Sequence, residues 1–142
     1  MIDPAAKDNV ILLPDPGYPA YYRGGLFAGG RPIAIPLQGD YIFRPWEIEE
    51  ELLRQCRLIW LNSPHNPSGA VMSLDDLQRT AELCRRYDIL LVSDECYADI
   101  YTEEAPHSIL ECGLVISQFT SNVSFQSSAL LSSGTLNSPR MI

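Results

Sequence analysis

An α/β fold with mainly parallel strands is predicted by three features of this chain. Short apolar runs, Val10-Ile-Leu-Leu13, Leu58-Ile-Trp-Leu61 and Ile89-Leu-Leu-Val92, alternate with segments of helical period. Clusters of Pro, Gly, Asn and Ser close the first two runs, as turn residues do. The last two runs are separated by one helix with a clear start and stop. That is the spacing of a βαβ unit, which is parallel and right-handed.

Taken in order, Val10–Leu13 is a first strand stopped by Pro14, and Pro16-Gly-Tyr-Pro19 is turn chemistry. Residues 20–28 form a weak helix ended by Gly29-Gly30. Pro32-Ile-Ala-Ile-Pro-Leu37 is a strand near a sheet edge, because two prolines cannot donate to a ladder. Pro45 suits the first turn of a helix carrying Trp46, Ile48, Leu52 and Leu53 on one side. Its glutamates, Glu47, Glu49, Glu50 and Glu51, are read as a solvated face.

Leu58–Leu61 is the next strand. Ser73 is a good N-cap, and Asp75 and Asp76 meet the free N–H groups of the first turn. Leu74, Leu77, Ala81 and Cys84 make a core stripe, and Arg85-Arg86 occupy the last turn. Residues 89–93 are another strand, and Val115–Phe119 is read as one more. The expected organisation is a partial α/β domain over 1–119, followed by an irregular, serine-rich tail over 120–142.

The bulk numbers set bounds on function. At 142 residues, 46% hydrophobic and 20% charged, the chain is one globular domain's worth of sequence. A net charge of −8 with ten Lys and Arg argues against nucleic acid as a partner. No apolar run approaches the ~18 residues needed to span a bilayer, and the first seven residues lack a signal-peptide core. Cys56, Cys84, Cys96 and Cys112 are scattered, which reads as packed, reduced thiols of a cytoplasmic protein.

Parallel strands bring their C-terminal loops to one edge of the sheet, where open α/β sheets bind ligands. Asn62-Ser-Pro-His-Asn-Pro-Ser-Gly69 and Ser93-Asp-Glu-Cys-Tyr97 follow the last two strands, so Asn66 and Asp94 become neighbours by topology. Asp94 ends a strand covered on both faces, and a carboxylate there needs a cation or hydrogen bonds. A protonated pyridine nitrogen is one such partner. Tyr97 can aim its hydroxyl at a group a few ångströms away, and Asn66 can donate to the same oxygen. Singly, each residue is more simply a cap, a core phenol or a turn residue; as an ordered set they point to a flat, anionic, heteroaromatic cofactor.

These motifs, with Pro16-Gly-Tyr-Pro19, resemble the pyridoxal-phosphate-dependent aminotransferases of fold type I, class I/II. The resemblance covers roughly residues 8–113, about the middle third of a full-length member. The Asp-Glu-Cys-Tyr form and Tyr101-Thr-Glu-Glu-Ala-Pro106 look most like the succinyldiaminopimelate and LL-diaminopimelate aminotransferases within it. It implies part of a three-layer αβα large domain, a homodimer, and transfer of an amino group between an amino acid and a 2-oxo acid. By resemblance, Tyr18 stacks on the face of pyridoxal 5'-phosphate, Asn66 and Tyr97 bind its O3′, and Asp94 pairs with its N1. The Asn66-Pro67 bond is left open between cis and trans. His65 and His107 match no catalytic position and are read as surface or loop residues.

The chain departs from the family in one decisive place. Lys7 is its only lysine, ahead of the first strand, so the Schiff-base lysine is absent. Phe125-Gln-Ser127 resembles the start of the family's F-x-S-x-S-K, yet Ser128, Ala129 and Leu130 follow. The phosphate-binding loop, the substrate-gripping arginine and the small domain are expected outside residues 1–142. The expectation is therefore a fragment, inactive alone, whose last ~25 residues have lost the reading frame.

Two rivals remain. Ile89–Glu95 resembles a Walker B strand, but no G-x-x-x-x-G-K-[ST] exists to complete a nucleotide hydrolase. A non-catalytic binding or dimerisation module derived from the aminotransferase fold explains the missing lysine. It does not explain why Tyr18, Asn66, Asp94 and Tyr97 are all kept.

Overall fold

The computed structural model describes residues 8–113. Four strands form one sheet: β1 (Val10–Asp15), β2 (Arg31–Pro36), β3 (Cys56–Asn62) and β4 (Leu90–Asp94). Their order is β2-β1-β3-β4 and every pairing is parallel. Three helices accompany them: α1 (Pro19–Phe27), α2 (Glu50–Arg54) and α3 (Leu74–Tyr87). The α/β expectation is met. The stretch Val115–Phe119, the tail 120–142 and Lys7 lie outside the described residues.

Alternation along the central strands divides the core between two faces. Val10, Leu12, Ile59 and Leu61 face one side, packed with Leu77, Ala81 and Cys84 of α3 and with Ile109. Ile11 and Leu13 face the other, with Tyr21 of α1 and partly buried Leu58 and Trp60. Handedness explains the split. The chain steps from β1 outward to β2, and from β3 outward in the opposite direction to β4. Right-handed crossovers running in opposite directions place their helices on opposite faces.

Each element has a local cause. α1 begins at Pro19, whose missing N–H costs nothing at the first helical position. It lies close on the sheet because Gly25 is small: a Cβ there would sit 3.1 Å from Ile11 Cδ1. β2, with Pro32 and Pro36, is the sheet edge the prolines require. α3 opens on a reciprocal cap, in which Ser73 Oγ accepts from the Asp76 N–H at 3.2 Å and Asp76 Oδ2 accepts from the Ser73 N–H at 3.3 Å.

The helix expected from Pro45 is broken. Pro45–Glu47 is a 3₁₀ turn, Ile48 is extended (φ −80°, ψ 141°), and α2 starts only at Glu50. Trp46 and Ile48 are two residues apart, ~200° around a helix, so one continuous helix could not turn both inward. The break lets Trp46, Ile48 and Leu52 all pack on the core. Trp46 also receives the Arg79 guanidinium, 4.2 Å from its ring centre. The four glutamates are exposed, as read.

Candidate functional site

Between β1 and β3 the strand order reverses direction, and at such a switch point the loops leaving neighbouring strands part to leave a crevice. All four sequence-predicted residues lie in loops or strand ends at this carboxyl edge.

The first wall follows β1. Gly17 makes its turn possible, since a Cβ there would lie 2.3 Å from the Pro14 carbonyl oxygen. Tyr18 comes out half exposed, at 50%. Its ring meets Tyr21 edge-to-face, with centroids 5.7 Å apart. Tyr21 in turn stacks on Trp60 of β3 at 4.6 Å and 13°.

Tyr21 also carries the polar link between the walls: its hydroxyl donates to Asp94 Oδ2 at 2.5 Å. Burial, then this hydrogen bond, push the Tyr21 phenol far above its ordinary range, so it remains a donor. Asp94 Oδ1 accepts from the Cys96 N–H at 3.2 Å. A carboxylate offers about four lone-pair sites, so Asp94 retains room for a further donor.

The second wall is the loop after β3. Asn62 is paired with Asp94 in the β3–β4 register. Its amide, 5% exposed, works in both directions. Nδ2 donates to the Asp94 carbonyl at 2.9 Å, and Oδ1 accepts from the Asn66 N–H at 2.7 Å. Asn66 Nδ2 then donates to the Tyr97 hydroxyl at 3.2 Å, directly joining two predicted residues. The Tyr97 phenol is raised, first by charge on neighbouring Cys96, while its bond to Asn66 opposes the shift. The Asn66-Pro67 bond, left open by the sequence, is cis.

His65 corrects the expectation of a surface residue. It does lie in a loop, but only 5% exposed, with both ring nitrogens in hydrogen-bond contact. His107 is half-exposed and pairs with Glu111 at 3.3 Å. The thiols of Cys56 and Cys84 are pushed by burial up to about 11 and about 12, which leaves them inert packing groups.

A cleft of about 570 Å³ opens from the Asn66–Tyr97 pair past Val71, Ile100 and Tyr101. Asp94 and Tyr18 do not line it. Asp94 joins Asn66 through Asn62, and Tyr18 joins Asp94 through Tyr21. Sequence reasoning missed Asn62, Tyr21 and His65. Asn62 and Tyr21 carried a signal: Asn62 opens its loop in register with Asp94, and Tyr21 follows Tyr18 by three residues across a Pro-initiated helix turn. Among the described residues, no group of three or more His, Cys, Asp or Glu could hold a metal, and no helix is long and apolar enough to cross a membrane.

Known proteins share this sequence pattern and fold. The family model for aminotransferase class I and II matches residues 3–133. The chain belongs to the class I and II aminotransferases. That family uses pyridoxal phosphate. LL-diaminopimelate aminotransferase from Aquifex aeolicus is 37% identical over 106 residues, covering 72% of this chain and 27% of the relative. LL-diaminopimelate aminotransferase 2 from a Nostoc species is 39% identical over the same length and shares. Among solved structures, a probable N-succinyldiaminopimelate aminotransferase from Thermus thermophilus superposes with a TM-score of 0.69 at 30% identity, covering 72% of this chain and 28% of that one. The aminotransferase chain thus spans about a quarter of the length of the relatives it matches.

Proposed function

We propose that this chain carries the ring-recognising part of a pyridoxal 5'-phosphate site, within an aminotransferase that moves an amino group between an amino acid and a 2-oxo acid. The observation that carries this reading is Asp94 with acceptor capacity to spare, locked through Asn62 to the Asn66–Tyr97 pair.

The residues fit the cofactor's ring. Asp94 would accept from the pyridine N1 and hold its proton there, with Tyr21 fixing the carboxylate from behind. Asn66 and Tyr97 would both donate to O3′, and the half-exposed Tyr18 ring would cover one face. When bound, the cofactor supplies a protonated, conjugated ring that spreads negative charge from the substrate's α-carbon. Lysine elsewhere in the family carries the cofactor; here the only lysine is Lys7, so turnover by this chain alone should be negligible.

The LL-diaminopimelate aminotransferases at 37% and 39% identity support an amino donor of that class for the parent enzyme. Apolar exposure on α1, with Tyr22 at 44%, Leu26 at 52% and Phe27 at 91%, supports a homodimer that covers it. Four free thiols, two of them buried, support a reducing, cytoplasmic setting.

The test is a thermal melt of the 142-residue chain. Pyridoxal phosphate should raise its midpoint, while inorganic phosphate at equal concentration should not. Equal shifts, or none, would overturn the ring-site reading. The missing lysine favours one second reading, a non-catalytic module built on the same fold. A dimer that ignores pyridoxal phosphate would establish that module instead.

A further inference from the structure

We infer that His65 is a positioning residue, a neutral bracket that fixes the Tyr18 turn against the Asn66 loop so that the stacking ring and the oxygen-binding pair form one unit. The inference rests on the proposed cofactor site for its purpose, but its geometry does not.

His65 Nε2 lies 2.9 Å from the Pro16 carbonyl oxygen, 49 positions away in sequence and two residues before Tyr18. A carbonyl can only accept, so Nε2 carries the proton. Nδ1 lies 2.7 Å from Ser68 Oγ, and Ser68 Oγ also accepts from the Ala70 N–H at 3.2 Å. In the neutral ring Nδ1 accepts, so the Ser68 hydroxyl donates to it and each group has one consistent role. The loop is closed behind the ring by its own backbone: the His65 N–H donates to the Ala70 carbonyl at 2.8 Å, and the Gly69 N–H to the His65 carbonyl at 2.7 Å.

This arrangement makes sense of a buried histidine that hydrogen-bonds to neither Asp94 nor Tyr97. Asn66 is the next residue along the chain, so whatever fixes the His65 ring also fixes the backbone that presents Asn66. Asn62, at the end of β3 and bonded to the Asp94 carbonyl of β4, holds that backbone on one side, and His65 ties it to the turn after β1 on the other. Burial lowers the His65 pKa, consistent with a ring that stays neutral.

Three variants of the full chain test the bracket. Glutamine can offer an N–H where Nε2 stood, so His65→Gln should keep the bond to Pro16. His65→Ala loses both bonds. Ser68→Ala loses the Nδ1 partner and the acceptor of the Ala70 N–H, and leaves the Pro16 bond in place. In NMR spectra without cofactor, the His65 ring nitrogens should report the Nε2-protonated tautomer. The Tyr18 ring signals should move in His65→Ala, return towards wild type in His65→Gln, and stay in place in Ser68→Ala. Tyr21 signals should hold throughout. With pyridoxal phosphate added, His65→Ala should weaken binding about tenfold, roughly the effect of one buried hydrogen bond, and His65→Gln should restore most of it. Tyr18 signals indifferent to all three variants, or a ring protonated at Nδ1, would overturn the bracket. If wild type ignores pyridoxal phosphate while the Tyr18 signals respond as described, the bracket stands and the cofactor reading falls.

Discussion

The two walls of the site are built by different physics. The wall after β1 is aromatic: Tyr18 leans on Tyr21, and Tyr21 stacks on Trp60, so the contact is broad and weakly directional. The wall formed by the ends of β3 and β4 is polar. There Asn62, Asn66, Asp94 and Tyr97 are joined by hydrogen bonds with fixed donors and acceptors. The difference matches two tasks. A ring's face is held by area, which tolerates small displacements, whereas its heteroatoms are held by directional bonds that do not. Tyr21 belongs to both walls, stacking with its ring and donating with its hydroxyl.

Breaking the polar wall should have the largest effect. Asp94→Ala removes the acceptor of a buried phenol and of the Cys96 N–H, at a cost of about 1–3 kcal/mol in stability. It should also abolish stabilisation by pyridoxal phosphate, as read by melts with and without it. Retained cofactor stabilisation in this variant would remove Asp94 from the site.

The aromatic wall has its own weak point at Gly17. Gly17→Ala places a Cβ 2.3 Å from a backbone oxygen, so the turn must move. We expect a loss of about 1–3 kcal/mol in denaturant melts, typical of forced backbone shifts. Unchanged stability would mean that the turn relaxes freely, and the wall is looser than its contacts suggest.

Acid should act through the link between the walls. Unfolded, His65 titrates near its ordinary 6.5; folded, burial holds it lower. Its neutral form is therefore the favoured one in the native state. The stability this contributes is complete above 6.5 and is lost as pH falls below 6.5 towards the lower folded value. His65→Gln should flatten that part of the curve of melting temperature against pH, and an identical slope in both proteins would count against it.

The smallest effect belongs to Tyr18→Phe. If the Tyr18 ring works by area alone, loss of its hydroxyl should change cofactor stabilisation by less than about 0.5 kcal/mol, the usual range for exposed changes. A larger loss would show that the aromatic wall also uses a directional bond.

Much of this was legible in the residues. The Ser73 cap, the Leu77-Ala81-Cys84 stripe and the prolines of β2 act locally, and local rules placed α3 and the sheet edge correctly. Period failed at Pro45–Arg54, where the core, not helical continuity, decided which side chains turn inward. Topology alone made neighbours of Asn66 and Asp94, since one follows and the other ends adjacent parallel strands. Their shared clamp on Asn62 was not legible, because it depends on the pairing of Asn62 with Asp94 across two strands.

The sequence by itself determined the α/β class and the βαβ unit, because strand period, caps and turn chemistry act over a few residues; Tyr18, Asn66, Asp94 and Tyr97 it offered as candidates, through sheet topology and a family resemblance. Only the tertiary structure decided that Tyr21 would hold Asp94 and that a histidine would lie buried between two loops. Such bonds join positions 73 and 49 residues apart. Their partners are chosen by how strands pair and helices settle on the sheet, and no local pattern encodes that.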